Sequence, residues 1–337
     1  MYRIAVVLVP GVYLYSIGGL MDAFQIANDH MGKQQGTAAN HFACQTVSPS
    51  DAPVTTSNGM QLTGEVTLAD AGSFDLIYLP AFAYEGITAF EHMADSLQPA
   101  FQWVRDSWGR GTAVSANCTG TLLLAETGLL DGHRATTAWW LERNFRRRFP
   151  KVDLDAHALL TEDNNLMTTG AMTAHLNMTL HIIGREAGPH MAALCAKTML
   201  IDTGPNTQRP YQELLQAELS PDPLVAKAQY WLQNHLGAAV DQAMLAEKMN
   251  VSQRTLIRHF KAELDLTPLA YLQNVRIETA KRLLESARTP LTEVVERVGY
   301  YDVSSFSRLF KRKTGLTPNA YRQRFSQLGT LRFAETV

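Results

Sequence analysis

Along the first two hundred residues, short unbroken apolar runs alternate with stripes of apolar residues at helical spacing. Tyr2 to Val9 is rich in valine and isoleucine and predicts a strand buried on both faces, with Pro10-Gly11 turning out of it. Ile17 to Met31 carries Leu20, Phe24 and Ile26 at helical spacing. Strand-like runs return at Phe42 to Val47 and Phe74 to Pro80. A helix is expected over Thr88 to Trp108, with Phe90, Met93, Leu97, Phe101 and Val104 inward, and another strand at Thr112 to Asn117. Strand and helix alternating in this way predict an open parallel sheet with helices on both faces, a flavodoxin-like α/β domain.

The last hundred residues read differently, because apolar residues there keep helical spacing throughout and one piece of sequence occurs twice. Arg258-His259-Phe260 lines up with Arg308-Leu309-Phe310, and Leu266-Thr267-Pro268 and Tyr271 line up with Leu316-Thr317-Pro318 and Tyr321, each pair 50 residues apart. In the first copy Leu245, Ala246 and Met249 form an apolar face, Asn250 breaks the helix, and Ser252 is placed to cap a helix that turns Leu256 and Phe260 inward. In the second, Val294, Val295 and Val298 are followed by a turn at Gly299, with Asp302 as cap and Phe306, Leu309 and Phe310 inward. The expectation is an all-α domain with two helix-turn-helix motifs. Between them, Thr267 to Ser286 should form a helix about 30 Å long, close to the roughly 34 Å between major-groove faces on one side of B-DNA. Two reading helices on one chain can then enter adjacent major-groove segments, helped by bending of the duplex.

The outward faces of the second helices carry the chemistry. Gln253, Arg254, Ile257, Arg258 and Lys261 lie opposite Leu256 and Phe260. Val303, Ser304, Ser307, Arg308, Lys311 and Arg312 lie opposite Phe306 and Phe310. A single such helix would read as a solvated basic face; two copies with an arginine in register point to double-stranded DNA. Charge supports this. The net of −2 conceals 17 basic against 11 acidic residues from Asp222 onward, and 13 against 21 before it.

Residues 223–325 closely resemble the DNA-binding domain of AraC-type transcription regulators. The resemblance is carried by Val298-Gly299-Tyr300-Tyr301-Asp302-Val303-Ser304-Ser305-Phe306-Ser307-Arg308-Leu309-Phe310-Lys311, then Thr314-Gly315-Leu316-Thr317-Pro318 and Tyr321-Arg322. Asp265 departs from the family, which has at that place the glycine found here at Gly315. A left-handed cap at aspartate implies a small local stability cost.

In the front half, Ser115-Ala116-Asn117-Cys118-Thr119-Gly120 runs from a strand straight into a helix over Thr121 to Glu126. A residue at such a corner stands at the carboxyl end of the sheet, where ligands and nucleophiles sit, and a cysteine there is open to activation by the helix dipole. Residues 1–205 resemble the class I glutamine amidotransferase-like domain of the PfpI superfamily, fused to an AraC-type domain as in GlxA-like regulators. Matching pieces are Gly18 to Phe24 with Asp22, Cys118-Thr119-Gly120, Gly128-Leu129-Leu130-Asp131-Gly132, Arg134-Ala135-Thr136-Thr137 and Thr168-Thr169-Gly170-Ala171. Enzymes of the superfamily place a histidine beside the cysteine or elsewhere in the pocket; here Thr119 follows Cys118, and Thr137-Ala138-Trp139 stands where related regulators have Thr-Thr-His-Trp. His175, expected as a partly exposed helix residue, is the nearest substitute. The front domain therefore reads as a sensor rather than an enzyme; the alternative is a Cys118-dependent hydrolase or glyoxalase-like catalyst.

The candidate ligand-binding residues are Tyr13, Tyr15, Asp22, Phe82, Cys118, Thr119, Trp139, Trp140, Ala171 and Met172. Each aromatic taken singly also fits core packing, but Tyr13, Tyr15, Phe82, Trp139 and Trp140 with the Asp22 carboxylate would make a box for a cationic amine. Arg143, Arg146, Arg147 and Arg148 end an amphipathic helix and are assigned no site. The breakers from Gly204 to Pro210 and from Ser220 to Pro223 bracket Tyr211 to Leu219, so residues 206–222 are expected to link the domains. Cys44, Cys118 and Cys195 lack paired spacing, and no long apolar span is present. A cytoplasmic setting away from the membrane, with no metal or cofactor, is the expectation. The resemblance further implies a small-molecule effector, a homodimer formed through the front domain, and contact with RNA polymerase.

Overall fold

The computed structural model describes residues 1–35, 41–204, 207–213, 219–286 and 289–326. The chain divides into two compact units, Met1–Gln208 and Arg209–Val337. The boundary expected at 205/206, and residues 214–218 of the expected linker, lie outside the described residues.

The first unit is built on a seven-stranded sheet of β1 (Tyr2–Val7), β2 (Phe42–Ser48), β3 (Val66–Thr67), β4 (Leu76–Leu79), β5 (Ala113–Asn117), β6 (Leu160–Asp163) and β7 (Leu166–Thr169). Its spatial order is β6-β7-β5-β4-β1-β2-β3, parallel except for the antiparallel edge pair β6 and β7. Ile4 through Val9 and Leu76 through Leu79 are buried without alternation, as parallel strands covered on both faces must be. The covering helices are α1 (Leu14–Gln35), α2 (Ile87–Ser96), α3 (Gln98–Gly109), α4 (Gly120–Glu126), α5 (Glu142–Arg148), α6 (Ala174–Ala187) and α7 (Pro189–Thr198). Two further strand pairs, Val54–Thr55 with Gln61–Leu62 and Arg134–Ala135 with Asp153–Leu154, stand outside the main sheet. The single helix expected over 88–108 is two helices: the chain leaves helical geometry at Leu97, and Pro99, which has no N–H to continue the preceding ladder, sits in the first turn of α3.

The strand order reverses at β1. From β1 the chain passes to β2 on one side, then returns to β4 on the other, so the carboxyl ends of β1 and β4 flank a topological switch point, the usual ligand crevice of an open α/β sheet. The loops leaving these strands are knitted together there by Ala83 N–H donating to Gly11 C=O at 2.9 Å and Tyr13 N–H to Ala81 C=O at 3.0 Å.

The second unit contains α8 (Pro223–Asn234), α9 (Gln242–Lys248), α10 (Gln253–Leu264), α11 (Pro268–Ser286), α12 (Leu291–Arg297), α13 (Val303–Thr314) and α14 (Pro318–Phe325). Pairs α9/α10 and α12/α13 are the two expected helix-turn-helix motifs. Ser252 caps α10 by accepting from Thr255 N–H, and Asp302 caps α13 by accepting from Ser304 and Ser305 N–H. Asp265 and Gly315 close the two helices in the left-handed region, at φ 54° and 78°. Helix α11 joins two separate cores: Tyr271, Leu272 and Val275 pack with Leu245, Leu256 and Phe260, while Ile277, Ala280 and Leu284 pack with Val294, Phe306 and Phe310. The copies differ in their turns. Four residues, Met249 to Ser252, separate α9 from α10, but five, Val298 to Asp302, separate α12 from α13.

Residues 209–212 pack within this second unit. Arg209 donates to Arg312 C=O at 3.1 Å, Arg324 to the Tyr211 hydroxyl at 2.6 Å, and the buried Lys281 ammonium to Gln212 C=O at 2.6 Å while pairing with Glu278 at 3.0 Å. Breaker residues mark where a chain leaves regular structure; they carry no information about which core the next residues join.

Gly299 holds the longer turn at φ 77°, and a Cβ there would lie 2.1 Å from Leu236 C=O. Gly299→Ala is expected to lower unfolding stability by about 2–4 kcal/mol, from left-handed strain plus the clash, measured by urea denaturation of the full chain.

Candidate DNA interface and candidate ligand site

On α10, Gln253, Arg254, Arg258 and Lys261 are exposed and Ile257 is half-buried; on α13, Ser304, Arg308, Lys311 and Arg312 are exposed, with Val303 and Ser307 half-buried. Leu256, Phe260, Phe306 and Phe310 are buried on the opposite faces, so burying the apolar stripe is what turns the basic stripe outward. His259 ties the first reader to α8 through a 2.6 Å contact with Asp222, which also caps α8, while Lys313 ties the second to α11 by donating to Asn274 at 2.9 Å. Arg308 is steadied by a 3.0 Å bond to the Ser305 hydroxyl. Both reading helices thus present an arginine from a fixed backbone.

In the first unit, Cys118 takes the corner between β5 and α4 at φ 55°, a left-handed conformation that a sharp strand-to-helix corner imposes. Its N–H donates to Thr169 C=O and its C=O accepts from the Thr137 hydroxyl at 2.8 Å. The Thr119 hydroxyl accepts from Phe82 N–H at 2.7 Å and donates to Phe82 C=O at 2.8 Å, clamping the corner to the loop after β4. Beneath lies a buried polar network in which Ser16 bonds the Tyr78 hydroxyl at 2.7 Å and donates to Asn117 at 3.5 Å. Activation by the helix dipole does not prevail. Cys118 is buried, and desolvation pushes its thiol up to about 12, outweighing the opposing hydrogen bond from Thr119 N–H.

His175 corrects an expectation: it is fully buried rather than partly exposed. Its place on the inner face of α6, against α1, takes it out of water. Its Nδ1 donates to Met172 C=O at 2.7 Å, and Nε2, with no hydrogen-bond partner among the described residues, faces α1, where a Cβ on Gly19 would lie 2.6 Å away. The Tyr15 ring stands edge-on to it at 5.1 Å. Burial pushes the imidazole below its usual value of 6.5, favouring the neutral ring.

The ten ligand candidates therefore fall into several groups. Cys118, Thr119 and Phe82 share the corner; Tyr15 and Met172 meet at His175; Ala171 donates its N–H to the buried Gln208 side chain at 2.9 Å. Tyr13 and Trp139 are half-buried, Asp22 is exposed on α1, and Trp140 is exposed with its ring 6.1 Å from that of Tyr84. A cavity of about 190 Å³ opens at the switch point, lined by Gly11, Phe82, Tyr84, Glu85, Phe90 and Met93 among others. The Tyr84 hydroxyl is buried without a partner among the described residues. Of these residues only Phe82 is a ligand candidate from sequence; Gly11, Phe90 and Met93 read there as turn and core positions. The signal for Tyr84 and Glu85 was their place just after β4, usable only once the strand order is known.

A double helix-turn-helix with two arginine-bearing reading faces, attached to a doubly wound α/β unit, defines a DNA-binding transcription regulator of the AraC type. Residues 2–185 match the DJ-1/PfpI family and residues 245–324 a helix-turn-helix domain, and the chain belongs to the DJ-1/PfpI family. It is similar to the HTH-type transcriptional regulator GbdR of Pseudomonas aeruginosa, at 26% identity covering 95% of this chain and 84% of that one, and to the regulator CdhR of the same organism, at 24% covering 93% and 89%. The HTH-type transcriptional activator RhaS of Escherichia coli is 36% identical, covering 28% of this chain and 34% of that one. An AraC family transcriptional regulator from Pseudomonas putida shares the fold at a TM-score of 0.50 and 18% identity, over 59% of this chain and all of that one. No helix among the described residues is long and apolar enough to cross a membrane.

Two outcomes are expected. Arg258→Ala or Arg308→Ala should each weaken operator binding by about 1–3 kcal/mol and relax preference at one base position, read by binding-site selection. For His175, whose folded value is lowered, the stability it contributes is complete above pH 6.5 and declines as pH falls below that value. Urea titrations across pH 5 to 7 should show this with a slope of up to about 1.4 kcal/mol per pH unit, flattened in His175→Gln.

Proposed function

We propose that this transcription regulator responds to a small cationic amine, a quaternary ammonium compound or an amino-acid derivative, held in the cavity at the switch point of the first unit. The observation that carries the reading is the coincidence of an aromatic-walled cavity with the crevice where the strand order reverses. Phe82, Tyr84 and Phe90 supply aromatic faces and Glu85 a carboxylate, the two elements a desolvated ammonium group needs. Phe82 keeps its expected part, while Tyr84, Phe90 and Glu85 take those first expected of Tyr13, Tyr15, Trp139, Trp140 and Asp22. The Phe90 ring already has a cation beside it, the Arg148 guanidinium at 5.5 Å. Thr119, beside Cys118, and Trp140 act in this reading behind the site, through Phe82 and Tyr84 respectively. A sensing rather than a catalytic role is supported by the burial of the Cys118 thiol, which raises its pKa, and by Thr119 standing where enzymes of the superfamily place a histidine.

Binding in that crevice biases how the reading helices engage DNA, since a ligand shifts an equilibrium by its differential affinity for two states. Pairing of two copies through the first unit, and activation through RNA polymerase, complete the proposal on the strength of the family.

Calorimetric titration of the full chain with betaine, carnitine and arginine tests the site. At least one should bind, and Glu85→Gln should weaken that ligand about two- to fivefold, the loss expected when a cation loses a solvent-exposed carboxylate partner. Absence of heat from all three would remove the amine reading. Cys118→Ala should leave ligand-dependent transcription intact; loss of a turnover seen in the wild type would instead favour a Cys118 enzyme.

A further inference from the structure

The two helix-turn-helix copies are not equivalent at their turns. The second is longer by one residue, and the added length carries Tyr301, which is 91% exposed immediately before the Asp302 cap of α13. In the first copy the residue before the Ser252 cap is the half-buried Val251. The backbone beneath Tyr301 is fixed. Arg276 donates to Leu236 C=O at 2.7 Å and Ala238 C=O at 2.9 Å, and its guanidinium lies 5.1 Å over the Tyr300 ring. Gly299 fits against that same Leu236 carbonyl only because it lacks a Cβ. With Tyr300 held under Arg276, Tyr301 is left as the outward aromatic of the turn. It borders a groove of about 340 Å³ shared with Gly237, Ala239, Asp241 and Arg276.

We propose that Tyr301 is a further DNA-contacting residue, its hydroxyl donating to a phosphate oxygen of the strand flanking the major-groove segment read by α13. In a helix-turn-helix the first turns of the reading helix face base edges, and residues outside its start lie over the sugar–phosphate backbone. Tyr301 is outside the helix by one residue. Asp302 cannot serve there, being a carboxylate already accepting from Ser304 and Ser305; a neutral phenol beside it can approach phosphate without repulsion. Arg276 adds positive potential to the groove, and Asp241 on its rim is engaged in capping α9 through Met244 N–H. A contact present in one reader and absent from the other sets the register of the chain on an asymmetric site.

The test uses the full chain and the duplex recovered by binding-site selection with the wild type. Tyr301→Phe should raise the dissociation constant roughly three- to tenfold, as loss of one solvent-exposed hydrogen bond does. The slope of log affinity against log salt should stay unchanged, because a phenol releases no counterion, and so should the selected consensus. Arg308→Ala run alongside should alter the consensus, showing that the assay reads the second helix. The melting temperature should not move in either Tyr301 variant, given the exposure of the ring. Dissociation constants within twofold of wild type for both Tyr301→Phe and Tyr301→Ala would overturn the proposal. So would a loss confined to Tyr301→Ala, or a changed base preference, since either would place the ring's contact somewhere other than a phosphate.

Discussion

The placement of both reading helices rests on one continuous rod, α11. Its 19 residues span about 28 Å at helical rise. The amino-terminal half buries Tyr271, Leu272 and Val275 in one core, and the carboxyl-terminal half buries Ile277, Ala280 and Leu284 in the other. Each core is small, and neither would hold a reading helix in place without the shared wall. Because a helix resists bending far more than a loop would, the distance between the two basic faces is set by covalent geometry and packing. The buried Lys281 and Glu278 pair on this rod, with Lys281 bonded to Gln212, anchors the entering chain to the same frame.

In the first unit the governing constraint is the reversal of strand order beside β1. It brings the carboxyl ends of β1 and β4 side by side, and the cavity bordered by Gly11, Phe82 and Tyr84 opens where the loops leaving them meet. Cys118 follows the next strand over, and the Thr119 hydroxyl fastens that corner to Phe82. Burial pushes the thiol's pKa up, and the polar atoms below it, Ser16, Tyr78 and Asn117, bond one another, with Asn117 also donating to Thr169. The corner thus meets the cavity through Phe82, which lines the cavity and is bonded twice by the Thr119 hydroxyl.

Local signals and spatial ones separate cleanly in this chain. The caps at Ser252 and Asp302, the left-handed stop at Asp265 and the inward Phe260 and Phe310 follow from residue chemistry within one turn of helix, and the structure has them as read. The break at Leu97 was missed because the apolar stripe from Phe90 to Val104 keeps its period through it, and only Pro99 marks the interruption. His175 was misjudged for a related reason: a helix's polar residue reads as solvent-facing until the neighbouring helix is known to cover it.

By itself the sequence determined that an alternating α/β half precedes a duplicated helical half, and which face of each reading helix is basic, since periodicity, capping and charge are encoded within a few residues of one another. Only the tertiary structure decided where the cavity lies, that Glu85 and Tyr84 border it while Asp22 does not, and that Gln208 and Arg209 belong to different units. Those facts depend on strand order and on contacts between residues tens of positions apart, and no local pattern along a chain records which distant segment will pack beside it.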